Sequence, residues 1–301
     1  GSVVRTWPMR GTLHIVPAAD VRWLVELLAP RRLAQSAGRR KQLGIDADTL
    51  ARSRAVCQEA LQGGKQLERG RMFALLEASG ISTAGQRGIH ILGHLAQEGL
   101  LCLGARSGKQ FTFTLLDEWV PHARTLPRDE ALAELARRYF SGHGPATVQD
   151  FAWWGGLTLT DARTALAAAT PHLAQEVIDG QTCWQAAGAP DVDTDELAHS
   201  VHLLPGFDEY LLGYTDRRAV LDPQHAERTH PGANGMMLPV FTIGGRVHGV
   251  WKRTIKKKSV DLVFTPFEEV TAAQKEAAAE AAGRYGQFLQ LPATIQWQAT
   301  P

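Results

Sequence analysis

An α+β fold assembled from repeated helix–hairpin modules follows from three features of this 301-residue chain. The first is the stretch Gly85-Gln-Arg-Gly-Ile-His-Ile-Leu-Gly-His-Leu-Ala-Gln-Glu-Gly99, followed by β-rich runs at 100–104 and 110–116. Ile89, Leu92 and Leu95, with Ile91 beside them, mark one face of a helix, and Gly99 is placed to stop it. The polar, glycine-rich tract 104–108 lies between the two runs and predicts a hairpin turn. The second feature is a return of the same order. Helices predicted over 131–140, 147–154 and 160–169 precede β-compatible runs at 172–178 and 181–185. Asp179-Gly180 between those runs is a strong two-residue turn signal. The third is a change of character in the last third. There, an apolar segment at 201–214 turns at Pro205-Gly206, and a hairpin at 239–252 turns at Gly244-Gly245. A strand at 259–264 and an alanine- and glutamate-rich helix at 272–289 follow. Helix, strand, glycine-rich turn, strand is the order of a winged helix, a unit that commonly places a helix in a DNA groove and a basic hairpin tip on the backbone. The predicted fold class is α+β: tandem winged-helix (helix-turn-helix plus β-hairpin wing) units with a C-terminal mixed β-sheet and helix.

The remaining elements fit around these. Residues 1–16 read as a strand pair with a break near Pro8 to Gly11. A domain seldom begins with its wing, so this pair is either the end of a preceding unit or an edge hairpin of something else. Residues 18–28 form an amphipathic helix with Val21, Leu24, Val25 and Leu28 on one face. Arg31-Arg32 and Arg39-Arg40-Lys41 follow in a polar linker, and a helix at 46–61 is opened by Asp46 or Asp48. Residues 67–79, with Met72, Phe73, Leu75 and Leu76, read as a helix packed behind 85–98. Leu132, Leu135, Tyr139 and Phe140 share one helix side, Thr147 is an N-cap, and Thr160-Asp161 opens the next helix. The predicted division is 1–63 (remainder of a first winged helix plus linking helices), 64–127 and 128–190 (winged helices), and 191–301 (an α+β domain).

Composition narrows the function classes. A hydrophobic content of 44% supports packed cores, and a net charge of +1 means that any basic footprint is local. Three widely spaced cysteines argue against a disulfide framework and a cysteine-based zinc site. No apolar run approaches a membrane span, and no secretory signal opens the sequence, so the expected setting is the cytoplasm. The expected state is a monomer without cofactor or metal.

Several residues suggest chemistry, each with a plainer alternative. Arg10, Thr12 and His14 alternate, so on a strand they share one face. That face is either a phosphate- or base-contacting row or a polar strand edge supporting the fold. His90 and His94, four apart on a helix, lack an evident third metal ligand and read as a solvent- or DNA-facing pair. Gln86, Arg87, His90 and Gln97 contact DNA or belong to a packing helix. The strongest basic stretch is 246–258. Alternation sets Arg246, His248 and Lys252 together, with Trp251 and Arg253 on the opposite side and Lys256, Lys257 and Lys258 at the hairpin end. Phosphate neutralisation and base stacking on Trp251 are the functional reading, and a solvated turn with a half-buried tryptophan is the other. Asp208, near Arg217 and Arg218, either polarises a water or stabilises a developing sugar cation, or else caps a turn.

Three segments carry a resemblance: Trp7-Pro-Met-Arg-Gly-Thr-Leu-His14, residues 86–116, and Leu204-Pro-Gly-Phe-Asp-Glu-Tyr-Leu-Leu-Gly-Tyr214 followed by Asp216-Arg217-Arg218. They are similar to the winged-helix DNA-binding family of bacterial DNA glycosylases, from residue 5 to about 290. The resemblance implies three tandem winged helices forming a concave surface toward double-stranded DNA. It also implies excision of alkylated bases or unhooking of interstrand crosslinks, as in self-resistance to azinomycin. Residues 1–16 would then close the first unit. The family's catalytic Gln-x-Gln or Gln-x-Asp lies upstream of the Trp-x-Met-Arg-Gly-Thr stretch, and the six residues before Trp7 do not hold it. Gln296-Trp-Gln298 matches the pattern at the opposite end, as a three-residue chance match would. Catalytic residues are therefore unassigned, with Asp208 and His14 as the candidates within this sequence. Three function classes stay open: a DNA-repair glycosylase, a non-catalytic DNA-binding protein acting as a regulator or damage shield, and a protein-interaction scaffold.

Overall fold

The computed structural model describes residues 1–189, 194–232 and 235–299. The chain divides into an N-terminal unit, Gly1–Ala187, and a C-terminal unit, Gly188–Pro301. Both mix helix and strand.

The N-terminal unit opens with β1 (Val3–Thr6) and β2 (His14–Pro17), then α1 (Val21–Gln35), α2 (Ala37–Gln42) and α3 (Ala47–Leu61). Next come β3 (Leu67–Glu68), α4 (Arg69–Ala78), α5 (Arg87–Gln97), β4 (Leu101–Ser107), β5 (Gln110–Leu115) and the short α6 (Leu116–Trp119). β1 and β2 pair in register from Val3↔Pro17 to Thr6↔His14, and Arg5↔Leu103 joins β1 to β4. The N-terminal hairpin thereby completes a five-stranded sheet of order β2-β1-β4-β5-β3. Three helices and a hairpin, α3 to β5, form the first helix–hairpin module around Leu61, Met72, Leu76, Ile91, Leu92, Leu95 and Phe113. Burying each such side chain contributes roughly 1.5–3 kcal/mol. Asp46 opens α3 by accepting a 2.8 Å hydrogen bond from the Thr49 amide, and Gly99, at φ 76°, ends α5.

Four sequence expectations change between α1 and β5. The polar linker at 31–41 is helical, since α1 continues through Pro30 to Gln35 and α2 follows. Good helix formers after Pro30 and side-chain clamps outweigh the one lost backbone bond. Arg31 donates to the Gly156 carbonyl at 2.8 Å, and Arg40 donates to the Leu33 carbonyl at 2.8 Å. Ile89 is not on the buried face of α5 and is 55% exposed. The buried stripe is Gly88, Ile91, Leu92, Leu95 and Ala96, because the Phe73 ring presses on Gly88, where a Cβ would lie 2.7 Å from it. The tract 104–108 is mostly strand, with a bulge between Leu103 and Arg106, and Gly108-Lys109 makes the turn between Ser107↔Gln110. Gly104 instead admits the Gln66 and Thr112 side chains, within 2.6 and 2.9 Å of where its Cβ would be. Finally, 67–68 is strand rather than helix, because Leu67 pairs with Phe113.

The second module comprises α7 (Arg128–His143), α8 (Val148–Gly155), α9 (Leu159–Ala169), β6 (Leu173–Ile178) and β7 (Gln181–Ala186). Its core is aromatic: Tyr139 lies 5.1–5.2 Å from Phe140, Phe151 and Trp154 between ring centroids. Thr147 and Asp150 form a capping box on α8, whereas α9 is opened by Thr158 rather than Thr160. Asp20 joins this module to α1. Buried at 3% exposure, it accepts from Trp23 Nε1 at 3.0 Å and from Arg138 at 2.6 Å, and it also pairs with Arg124.

The C-terminal unit contains α10 (Thr194–Ala198), β8 (Val201–Leu204), α11 (Glu209–Leu212), α12 (Ala226–Thr229), β9 (Val240–Ile243), β10 (Arg246–Ile255), β11 (Val260–Pro266), α13 (Ala272–Leu289) and β12 (Ala293–Trp297). The sheet order is β12-β11-β10-β9-β8; β12 runs parallel to β11 and the other pairs are antiparallel, so the sheet is mixed. Ala278, Ala281 and Ala282 form the buried face of α13 and pack with Phe241, Trp251 and Phe264.

Candidate nucleic-acid interface

Residues 9–12 form a turn, so Arg10, Thr12 and His14 do not share a strand face as alternation predicts. Arg10 has φ 55° and Gly11 φ 75°, and the Thr12 amide donates to the Met9 carbonyl at 3.2 Å. Trp7 stacks on Phe113 with centroids 6.4 Å apart, and Met9 is buried, so both anchor the turn. Gly11 serves two needs. Its conformation favours glycine, and a Cβ there would lie 2.6 Å from Arg32 Nε. Beyond the turn, Thr12 Oγ1 and His14 Nε2 are hydrogen-bonded at 2.8 Å.

The outer face of α5 meets this turn. A small cavity of about 140 Å3 is lined by Gly11, Arg32 and Arg40 on one side and by His90, His94 and Gln97 on the other. No carboxylate is among its lining residues. Burial lowers the His90 pKa, and Arg39, Arg32 and Arg40 lower it further, which reports a positive local potential. His94 departs from the expected exposed pair. It is buried, with Nε2 3.2 Å from Glu98 Oε1, and burial lowers its pKa against the pull of Glu98. Gln86 accepts from Arg39 at 2.7 Å. Arg87 donates to the carbonyls of Leu43, Gly44 and Ser82, which makes it a clamp within the fold. Sequence reasoning placed Arg31, Arg32, Arg39 and Arg40 in a polar linker and, with the stretch 246–258, used 31–41 as the ground for expecting salt-dependent DNA binding, without assigning these arginines individually as site residues.

In the C-terminal unit, β10 keeps the expected alternation: Val247, Gly249 and Trp251 are buried, Arg246, His248 and Lys252 are more exposed, and a bulge between Val247 and Gly249 shifts only the register against β9. Trp251 is 3% exposed, donates from Nε1 to the Leu204 carbonyl at 2.9 Å and packs edge-on against Tyr285, so it is not available to stack on a base. Arg253 lies over the Tyr285 ring at 5.6 Å, and Arg246 donates to the Ala219 carbonyl at 3.1 Å. His248 is half-buried, which lowers its pKa. Lys252, Lys256, Lys257 and Lys258 are exposed toward the β10–β11 turn, and Lys256 pairs with Asp261. Asp208 is a cap: its Oδ1 accepts from the Tyr210 amide at 2.9 Å to open α11. Arg217 donates to the Leu211 carbonyl at 2.6 Å, and Arg218 forms a bidentate pair with Asp216. That pair holds the Asp216 carboxyl at about 2. Arg217 and Arg218 line a cleft of about 830 Å3 with His230 and Leu221. Gln296 lies on β12, and Gln298 accepts from Thr265 at 2.6 Å.

No group of three His, Cys, Asp or Glu residues suited to a metal occurs among the described residues. The three cysteines are free and buried, and burial pushes the Cys57 and Cys102 thiols up to about 12. No described helix is long and apolar enough to cross a membrane.

These features define a mixed α+β protein of helix–hairpin modules carrying an arginine cluster around a strained turn. Residues 1–288 match the model of the family described as DNA glycosylase AlkZ-like, and the chain belongs to that family. It is 29% identical over 298 residues to an interstrand DNA cross-link repair glycosylase of Streptomyces sahachiroi, covering 92% of this chain and 78% of that protein. The solved structure of Streptomyces sahachiroi DNA glycosylase AlkZ is similar with a TM-score of 0.74 at 25% identity, over 98% of this chain and 82% of that one.

Proposed function

We propose that this chain binds damaged double-stranded DNA and acts in DNA repair as a glycosylase relative, recognising alkylated or crosslinked bases whose N-glycosidic bond is hydrolysed. Family membership across residues 1–288 carries the reading. The carboxylate-free arginine lining around the 9–12 turn supports it, since such a surface attracts phosphates and releases counterions. In this reading α3–β5 and α7–β7 are winged helices, and residues 1–63, 64–127, 128–190 and 191–301 are the working divisions. The protein acts as a monomer in the cytoplasm.

In the N-terminal unit, Arg10, Thr12, His14, Arg32, Arg39 and Arg40 provide phosphate contacts, while Gln86 and Arg87 hold their neighbours in place. In the C-terminal unit, Lys252, Arg253, Lys257 and Lys258 provide them. Hydrolysis needs groups that position water and stabilise an oxocarbenium-like sugar. Asp208 is engaged as a cap and His14 with Thr12. Those engagements favour a second reading of this 301-residue chain as a DNA-binding protein that does not itself cleave.

Two assays separate the readings. Fluorescence anisotropy with duplex DNA should show an affinity that falls steeply with salt, and Lys256→Ala/Lys257→Ala/Lys258→Ala should weaken all sequences alike. Identical dissociation constants for mutant and parent at every salt concentration would remove the hairpin from the interface. Base release from alkylated DNA should be negligible for this chain and restored by an upstream segment carrying Gln-x-Gln or Gln-x-Asp. Robust release by residues 1–301 alone would place the catalytic groups within them, with Asp208, His14 and Gln296 the first to substitute.

A further inference from the structure

On the other side of Arg32 lies a larger cleft of about 590 Å3, between α1, the 9–12 turn and α8. Arg10, Arg31, Arg32, Gln149, Trp153 and Leu159 are among its lining residues, and none of the lining residues is acidic. Trp153 is 51% exposed and Leu159 is 44% exposed, in a unit whose other aromatic side chains on α7 and α8 largely pack into the core. The cleft is held open by defined contacts. Arg31 donates to the Gly156 and Leu157 carbonyls at 2.8 and 2.5 Å, which fastens the loop after α8 to α1. Gly156, at φ 65°, ends α8, and a Cβ there would lie 3.8 Å from Arg10 Cγ, so Arg10 passes over this loop. Arg32 has no ion-pair partner among the described residues.

We infer that this cleft takes one unstacked nucleotide of DNA, with its base on Trp153 and its phosphate on Arg10 and Arg32. An exposed aromatic side chain beside cations is the chemistry that holds unstacked nucleotides, because every base offers a π-face and every nucleotide a phosphate. The volume falls within the range of about 300–1,000 Å3 typical of small-molecule sites. Gln149 and Gln35 supply donors and acceptors at the edge of the cleft. The inference rests on the reading of the chain as a DNA-binding protein, and it adds to that reading a site for a nucleotide outside the helical stack.

The test compares a duplex carrying one unpaired nucleotide with the same duplex fully paired, by fluorescence anisotropy at low salt. The parent should prefer the unpaired form. Trp153→Ala should remove that preference, a loss of about tenfold, while leaving affinity for the paired duplex unchanged. Trp153→Phe should retain the preference, which separates stacking from a folding defect, and Arg32→Gln should weaken both duplexes. Equal affinity of the parent for the two duplexes, or an intact preference in Trp153→Ala, overturns the inference while the DNA-binding reading stands. If the parent binds neither duplex, that reading fails. Titration calorimetry with dGMP then decides the cleft: binding by the parent that Trp153→Ala abolishes supports a site for a free nucleotide, and no binding overturns it.

Discussion

The two helix–hairpin modules share an order of elements and differ in the chemistry of their hairpin tips. The first tip closes on Gly108-Lys109 between Ser107 and Gln110, and exposes Arg106 and Lys109. The second closes on Asp179-Gly180 between Ile178 and Gln181, and exposes Glu176, Asp179 and Val177. Both residues of the second turn have positive φ, 49° and 75°, which is the geometry that matches the twist of paired strands. A basic tip draws phosphate and an acidic one repels it. The cores differ as well, aliphatic around Leu61, Leu76 and Leu95 in the first module and aromatic around Tyr139 and Phe151 in the second. A repeated fold therefore does not repeat a function, and the second module is better suited to holding the arginine-bearing α1 than to meeting DNA with its tip.

The largest expected effect concerns that holding role. Burial alone would push the Asp20 carboxyl up, but hydrogen bonds from Arg138, Arg124 and Trp23 outweigh it and bring the pKa from 3.8 to about 2. A shift of this size corresponds to about 2 kcal/mol. Because the folded value is the lower one, this stability is present above about pH 4 and is lost as pH falls toward 2. Asp20→Asn should lower urea stability at pH 7 by about 2 kcal/mol and flatten the loss between pH 4 and 2. A parent-like pH profile in the variant would show that Asp20 does not link the modules energetically.

Charge reversal at the tips tests the comparison itself. Arg106→Glu with Lys109→Glu should weaken duplex binding about tenfold and reduce the salt slope by up to about 2. Asp179→Lys should leave affinity equal or slightly higher. Equal weakening by both would mean that the two tips meet DNA alike, contrary to their charges.

The smallest effect probes what the hairpins share. Gly108 and Gly180 both have positive φ, 59° and 75°, with nothing near the Cβ position. Alanine at either should cost about 1 kcal/mol of stability through backbone strain alone, read as parallel shifts in thermal midpoint. A loss at one site only would show that the turns are not equivalent in backbone.

Elements with strong local codes were legible. Asp179-Gly180 and Gly244-Gly245 sit at their predicted turns, Thr147 caps α8, and the helix predicted at 272–289 matches α13, Ala272–Leu289. Elements decided by neighbours were not. Apolar spacing alone allows α5 two stripes, and the Phe73 ring on Gly88 selects the one without Ile89. Trp251 reads as half-exposed in a basic strand, yet the Leu204 carbonyl and the Tyr285 ring hold it in the core. For the site, the motif residues at 7–14 were visible as a group, but their strand-face arrangement was wrong because Arg10 and Gly11 make a turn.

What this sequence determined by itself is the set of pieces: where chains of helix formers begin and end, which dipeptides turn, and a family signature at 7–14 and 204–218. These depend on interactions within a few residues, so they survive without knowledge of the fold. The tertiary structure decided which charges stand together. Arg32 comes beside Gly11 because a residue without a Cβ leaves room for it, and Trp153 comes beside Arg10 because Arg31 ties the α8–α9 loop to α1. Residues more than a hundred positions apart share that cleft, and only packing, which acts through space rather than along the chain, brings them together.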